Sequence, residues 1–300
     1  MHSPTLLVSG ISGQLAQLVM ASLLGHPSLV GTTRAPERHR HLASHGVDVR
    51  YADFDQPAST THAFEGADRL LLVSTGAEHC GPRRVAQHRH AISAAGEAGV
   101  ERLVYTSLLN ADTSPLGPIA SDHAATEAML RESGLRHVVL RNAFYMDMLL
   151  MSLQRAIATG EWISAAGQGR IAYVTRENCA MAAAAALRSD VGQDMTHHRR
   201  VDITGPDALS GEDVVAIANA VLGTRIRFVP VTKEEAASRL SASGMPPPMA
   251  ALLAYIDTCV AQGAMAPASD DYLQLTGERA TSVEAFLIAH RDTLLNAAST

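Results

Sequence analysis

The sequence predicts an α/β protein, a doubly wound parallel sheet followed by a smaller, mainly helical C-terminal substrate domain. Three observations carry this. Short apolar runs alternate with helical patterns through the first 140 residues. Those runs are near-continuously apolar, as in strands covered on both faces, rather than alternating in polarity. After Asn142 the rhythm changes and helical segments dominate. The boundary is therefore drawn there, giving regions 1–142 and 143–300, with some C-terminal segments expected to return to the main sheet.

The predicted strands are Thr5–Ser9, Leu29–Thr33, Asp48–Ala52, Arg69–Ser74, Arg102–Thr106 and His137–Arg141, each bounded by Gly, Pro or polar residues. Leu15, Leu18, Val19 and Leu23 share one face of a first helix. Gln87–Glu97 and Ser121–Ser133 read as helices that stop near Gly99 and Gly134. Beyond Asn142, helices are expected over Met146–Thr159, Glu177–Leu187, Gly211–Leu222, Lys233–Ser243, Ala250–Gln262 and Val283–Leu295. Ser210 followed by Asp213 is an N-cap with an acid at the third helical position. Short strands fit Val201–Thr204 and Ile226–Val229, and Gly244–Pro248 separates two helices.

Composition narrows the function classes. The chain has 300 residues, 47% of them hydrophobic and 18% charged, so it can bury a sizeable core. A net charge of −6 with scattered signs argues against nucleic acid, which calls for a clustered basic surface. Cys80, Cys179 and Cys259 are far apart and in no ligand spacing, which suits a reducing compartment. His39, His41, His88, His90, His197 and His198 form no metal set either, so no metal is expected. No leader pattern precedes the first strand, and Met181–Leu187 is too short to span a bilayer, so a cytoplasmic protein without membrane insertion is expected.

The strongest chemical signal is Val8-Ser-Gly10-Ile-Ser-Gly13-Gln-Leu-Ala16, placed between the first strand and the first helix. Gly10 allows a tight turn, and Gly13 lets backbone approach a pyrophosphate at a helix N-terminus, where N–H donors converge. The context is that of a Rossmann-type dinucleotide site, with Gly10, Ile11, Ser12, Gly13, Gln14 and Leu15 along the cofactor. NAD-specific sites place an acid at the end of the second strand, whereas this chain has Arg34 there and no acid before Glu37. An arginine pairs with a 2′-phosphate that a carboxylate would repel, so NADPH/NADP is the expected cofactor, with Arg38 in support. Asp53 follows the third strand, where it can meet an adenine. Ser74, Thr75 and Gly76 end the fourth strand at the edge where ligands bind. Either stretch can also be an ordinary strand-end turn.

Gln87-His-Arg89, Tyr105–Leu109, Ala111–Gly117, Asp122-His123, Glu127 with Met129-Leu130, and Leu140-Arg-Asn142 with Tyr145 closely resemble the quinone-reducing members of the NmrA-like, atypical short-chain dehydrogenase group. The likeness is dense from Thr5 to Tyr145 and thinner beyond. Its most specific string is Ala111–Gly117, which neither turn chemistry nor packing is expected to demand. The resemblance implies NADPH along Gly10–Leu15, Arg34, Ser74–Gly76 and Asn142–Asp147, including Ala143, Phe144 and Tyr145. It implies hydride transfer straight to a quinone-like small molecule, without flavin, in a cleft between the two parts of a monomer or homodimer. A dye or xenobiotic reductase, or an NADP(H)-binding redox-sensing regulator without turnover, would use the same scaffold. The chain departs from the group at Ala77–Arg84, at Ala128 and in its C-terminal third.

Ordinary short-chain dehydrogenases use a Tyr-x-x-x-Lys pair with a serine. Here Ile119 and His123 stand at the pair's positions, so the pair is absent. That disfavours alcohol–ketone chemistry more than quinone reduction, where hydride placement suffices and water can protonate later. The candidate catalytic residues are Asn142, as an amide near the nicotinamide; Tyr145, with Phe144, stacking on a flat acceptor; His123, as ribose contact or proton donor; and Ser107, as a donor to a carbonyl. Pro246–Pro248 with Met249, Leu252 and Leu253 form either an apolar substrate wall or plain core.

Overall fold

The computed structural model describes residues 3–189 and 198–296, so His197 lies outside the described residues. The Rossmann part runs β1 (Leu6–Val8), α1 (Gln14–Leu23), β2 (Leu29–Thr33), β3 (Val47–Tyr51), α2 (Pro57–Phe64), β4 (Arg69–Leu72), α3 (Pro82–Glu97), β5 (Arg102–Leu108), α4 (Pro118–Glu132) and β6 (Arg136–Asn142). Next come α5 (Met148–Thr159), β7 (Glu161–Ser164), β8 (Arg170–Ile171), α6 (Arg176–Arg188), β9 (His198–Ile203) and β10 (Leu209–Ser210). The chain continues through α7 (Gly211–Leu222), β11 (Arg227–Pro230), α8 (Lys233–Ala242), α9 (Pro247–Ala261), α10 (Asp271–Thr276), α11 (Val283–Ala289) and α12 (Arg291–Asn296).

One parallel sheet has the order β3-β2-β1-β4-β5-β6-β9. The order reverses between β1 and β4, and the crevice at the carboxyl ends of those strands is where such sheets take ligands. Alternation along each strand feeds two apolar layers. Leu6, Val8, Leu71, Val104 and Leu140 face α1 and α6, while Leu7, Leu70, Leu72, Leu103 and Val139 meet Phe64, Ala91, Ala95 and Leu130 on the other face. Two buried faces explain why the strands read as unbroken apolar runs.

The C-terminal half contributes to both regions. Strand β9 pairs with β6, α10 lies against β9, and the alanine-rich α6 packs on α1 beneath the sheet. A separate apolar cluster joins α5, α7 and α11 through Leu149, Leu153, Val214, Ala218 and Phe286. There β7 and β11 pair in parallel, and β8 and β10 antiparallel. Helix α7 starts with a capping box: Ser210 Oγ accepts from Asp213 N–H at 3.2 Å, and the Asp213 carboxylate accepts from Ser210 N–H at 2.9 Å. The single helix predicted over Val283–Leu295 is two helices that part at His290, whose backbone leaves the helical range at φ −105° and ψ 12°. The 3-10 segment Pro36–His45 escaped prediction because it buries no residue and so has no apolar period.

Gly31, in β2, positions the cofactor turn. A Cβ there would lie 3.0 Å from Ile11 Cδ1 and 3.1 Å from Ile11 Cγ2. A methyl group there would push the buried Ile11, and the turn it anchors, by a few tenths of an ångström. Gly31→Ala is expected to cost about 1 kcal/mol of stability through overpacking and to weaken NADPH binding severalfold; urea unfolding and cofactor titration check the two effects.

Candidate cofactor site and active site

The glycine turn sits at the switch point. Gly10 has φ +66°, a left-handed conformation that favours glycine, and its carbonyl accepts from Gly13 N–H at 2.9 Å. Ser9 N–H donates to Leu71 O and Ile11 N–H to Thr32 O, so the turn is tied to β4 and β2 on either side. Ile11 and Leu15 are buried in the core and anchor the turn there. Ser12, Gly13 and Gln14 are exposed. Ser12 Oγ lies 2.9 Å from Thr33 Oγ1 and 3.0 Å from His39 Nε2. Arg34 follows, exposed and paired with no carboxylate among the described residues. Asp53 stands in the turn after β3, where its carboxylate accepts from Asp55 N–H at 3.0 Å and lies 3.4 Å from the Gln56 amide.

At the end of β4, Ser74 N–H donates to Thr106 Oγ1 and Thr75 N–H to His88 Nε2 at 3.1 Å. A backbone N–H can only donate, so Nε2 accepts and the His88 proton sits on Nδ1, 2.9 Å from Thr126 Oγ1. Burial, with help from the nearby Arg84 guanidinium, holds His88 at about 3, so the ring is neutral. His88 thus fixes the backbone of the Ser74–Gly76 stretch, a role with no periodic signature in the sequence.

His123 is corrected by the same argument. Arg84 donates to its Nε2 at 2.7 Å, so Nδ1 carries the proton and donates to Tyr105 Oη at 2.7 Å. The ring is buried, and burial plus Arg84 push its pKa well below the usual histidine value. With both nitrogens committed under α4, His123 reaches neither a ribose nor a substrate. Ser107 is corrected too. Its hydroxyl donates to Glu127 at 2.7 Å, and Glu127 is gripped by Arg141 through Nε at 3.0 Å and Nη2 at 2.7 Å. Ser107 therefore has no hydrogen left for a substrate carbonyl. Burial works against the Arg141 charge, but the bonds to Glu127 and Asp112 outweigh it and hold the guanidinium above its usual value.

The string Ala111–Gly117 also proves to be demanded by packing. Asp112 pairs with Arg141 and Arg200, Leu116 is buried against Val260 and Met265, and Pro115 O accepts from Tyr255 Oη at 2.6 Å. The string is the clamp between the sheet and α9. On α9, Met249 and Leu252 are exposed, while Leu253 packs against the Leu240–Met245–Ala250 cluster.

The other end of the carboxyl edge is formed by Asn142–Asp147. Asn142 ends β6 and is buried, with Nδ2 3.5 Å from Tyr145 Oη. Its Oδ1 is buried without a hydrogen-bond partner. An unpaired buried acceptor is costly, and such atoms in native proteins call for a donor. Ala143 is buried, and Phe144 stacks edge-on against Tyr173 at 6.2 Å, so it is taken up by the C-terminal cluster. Arg176 lies over the Tyr145 ring at 4.7 Å and is itself held by Asp147 at 2.7 Å, a brace between distant residues that the sequence did not signal. Burial, with a smaller contribution from Cys179, raises the Tyr145 phenol well above its ordinary value, so it keeps its proton.

These residues fit a phosphorylated nicotinamide dinucleotide. A glycine turn offers N–H donors at a helix start, an uncompensated arginine stands beside it, and an amide oxygen lacking a donor waits at the far end. Among the described residues, no group of three His, Cys, Asp or Glu is placed to hold a metal ion, and no helix is long and apolar enough to cross a membrane.

Comparison with known proteins agrees with this geometry. Residues 10–190 match the family described as NAD(P)H-binding. Quinone oxidoreductase 2 of Escherichia coli is 35% identical over 280 residues, covering 92% of this chain and 95% of the relative. The crystal structure of that NADPH-dependent enzyme complexed with NADPH superposes with a TM-score of 0.86 at 34% identity, covering 95% of this chain and 99% of the other. The Citrobacter sp. triphenylmethane reductase complexed with NADP(H) gives a TM-score of 0.86 at 28% identity, covering 96% and 99%.

Proposed function

The chain belongs to the NAD(P)H-binding family, and we propose that it is an NADPH-dependent reductase of quinones or similar planar acceptors that works without flavin. The observation that carries this is the pairing of two unmet needs on one sheet edge: Arg34 without an anion at one end and Asn142 Oδ1 without a donor at the other. The relatives support it, since one is named a quinone oxidoreductase and another a triphenylmethane reductase.

Bound along this edge, the dinucleotide supplies a hydride. The chain's own residues orient and shelter it. The Gly10–Gly13 backbone and the α1 N-terminus take the diphosphate, and Arg34 takes the extra phosphate. Ser74 and Thr75, held by Thr106 and His88, form the adjoining wall. Asn142 at the end of β6, with Tyr145 held beside it by the Arg176 brace, would border the nicotinamide end. The geometry includes no positioned acid of the Tyr-x-x-x-Lys kind, which suits an acceptor whose reduced form takes its protons from water. Met249 and Leu252 of α9 supply an apolar wall for the acceptor. The protein is proposed to act in the cytoplasm, as a monomer or homodimer; its three free cysteines suit a reducing compartment.

The test follows NADPH absorbance with benzoquinone, with a triphenylmethane dye and with neither. Fast loss on adding quinone supports the assignment, and loss only with the dye moves it to dye reduction. Tight NADPH binding with no turnover on either would replace the reductase by a cofactor-binding regulator. Asn142→Ala is expected to lower turnover about fivefold while costing only about 1 kcal/mol of stability, because the one side-chain bond it removes is the long Nδ2 contact to Tyr145 Oη. Steady-state kinetics beside urea unfolding checks this.

A further inference from the structure

We propose that Cys80 is a peroxide-reactive thiol. A hydroperoxide oxidises it to the sulfenic acid, and the buried Arg84 guanidinium stabilises the reaction and holds the added oxygen. This modification site lies outside the hydride chemistry and does not depend on which dinucleotide binds.

The geometry starts from Arg84, in the first turn of α3. It is only 4% exposed, yet it pairs with no carboxylate among the described residues. Its Nη2 donates to His123 Nε2 at 2.7 Å, its Nη1 donates to Cys80 Sγ at 3.0 Å, and its Nε has no acceptor. The acids nearby are committed elsewhere. Asp122 of α4 accepts from Gly81 N–H at 2.7 Å, and Glu127 is held by Arg141 and Ser107. A buried guanidinium with no counter-ion and an idle donor is costly, and such an atom calls for an explanation in a partner or a reaction. The backbone sets the sulfur against it. Gly81 has φ +101°, a conformation that favours glycine, and the Asp122 bond pins this turn over the start of α3.

Of the three cysteines, Cys80 alone is partly exposed; Cys179 and Cys259 are buried in two separate apolar clusters. Partial exposure beside a cation is the setting of thiols that react. In the step proposed, the Cys80 sulfur attacks one oxygen of hydrogen peroxide. The S–O bond forms, the O–O bond breaks, and the departing oxygen takes the thiol proton and leaves as water. Sulfur loses two electrons and the peroxide gains them. Negative charge develops on the departing oxygen, and a guanidinium already aimed at the sulfur stabilises it there. The product sets an acceptor oxygen beside a guanidinium with an unused N–H, so Arg84 gains the kind of partner its Nε lacks. With the other two thiols buried elsewhere, no internal disulfide competes, and the sulfenic acid stays open to capping or reduction by a small thiol.

The experiment exposes the full chain to hydrogen peroxide, traps sulfenic acid with dimedone and locates the label by peptide mass spectrometry. In the unaltered protein the label should fall on Cys80 and on neither Cys179 nor Cys259. Cys80 should also react at least about tenfold faster than glutathione under the same conditions. Cys80→Ser should take up no label. Arg84→Gln, which removes the charge and keeps a donor, should slow Cys80 oxidation about 10- to 100-fold, with its melting temperature read alongside. If Arg84→Gln does not fold, the comparison with glutathione decides, since it uses the unaltered protein. Cys80 oxidation no faster than that of glutathione overturns the proposal, as does a label confined to Cys179 or Cys259. A folded Arg84→Gln protein that oxidises at the unaltered rate overturns the part given to Arg84.

Discussion

Replacing Arg34 by alanine is expected to weaken NADPH binding about 10- to 100-fold and to leave NADH binding within about twofold. The guanidinium is exposed and has no carboxylate partner among the described residues, so it loses nothing inside the protein when it turns to a phosphate. A charge-assisted bond to a phosphate contributes about 1.5–3 kcal/mol, which converts to that range of affinity. NADH has no group at this position, so its affinity depends on the rest of the site. Stability should hardly change, because the Arg34 side chain makes no hydrogen bond among the described residues. Because the contact is exposed, the NADPH loss should shrink as salt is added. Cofactor titration with both dinucleotides at two salt concentrations measures this, and equal weakening of both would remove Arg34 from the 2′-phosphate.

The second large effect is acid lability. As pH falls from about 6.5 to 5 the stability lost per pH unit should rise from about 1.4 to about 2.7 kcal/mol. The source is His88 and His123, both buried neutral in the folded protein, with His88 at about 3 and His123 well below its ordinary value, in each case chiefly because burial disfavours the charged ring. In the unfolded chain both take up a proton as pH falls through about 6.5. The unfolded state then holds two more protons than the folded one, and each proton adds about 1.4 kcal/mol per unit. The stabilisation is therefore complete above the unfolded value and is lost as pH falls, down to about 3 for His88. His137, also lowered by partial burial, acts in the same direction. Urea unfolding from pH 7.5 to 5, as an order-of-magnitude window set by histidine ionisation, measures the slope. A His88→Gln, His123→Gln double variant should start less stable but show a flatter profile. A flat profile in the unaltered protein would mean that the rings are not buried neutral.

These predictions differ in how far the sequence foreshadowed them. Arg34 was legible because strand, glycine turn, helix and second strand are contiguous, and a single position at the end of β2 decides the sign of charge beside the turn. His88 stood inside a recognisable string, yet its bond to Thr75 N–H spans 13 residues and two elements. Ser107 and His123 were placed correctly along the chain and wrongly in space. Both lie at the carboxyl side of β5 or the start of α4, but Glu127 and Arg84 hold their polar atoms away from the cleft. Asp53 stands in the turn after β3, with Asp55 and Gln56 as partners. The family-like string Ala111–Gly117 was thought free of packing demands because its partners, Arg141, Tyr255 and Met265, come from three distant segments.

The amino-acid order alone determined the layered sheet, the glycine turn and the charge at the end of β2, since each arises from neighbours within a few residues whose periodicity and backbone freedom leave one conformation. Tertiary structure decided which polar atoms are spent and which are left over: His123 and Ser107 spent, Asn142 Oδ1 left over, His39 folded against Ser12. A hydrogen bond is satisfied by whatever atom arrives in range, and only the packing of remote segments brings that atom there.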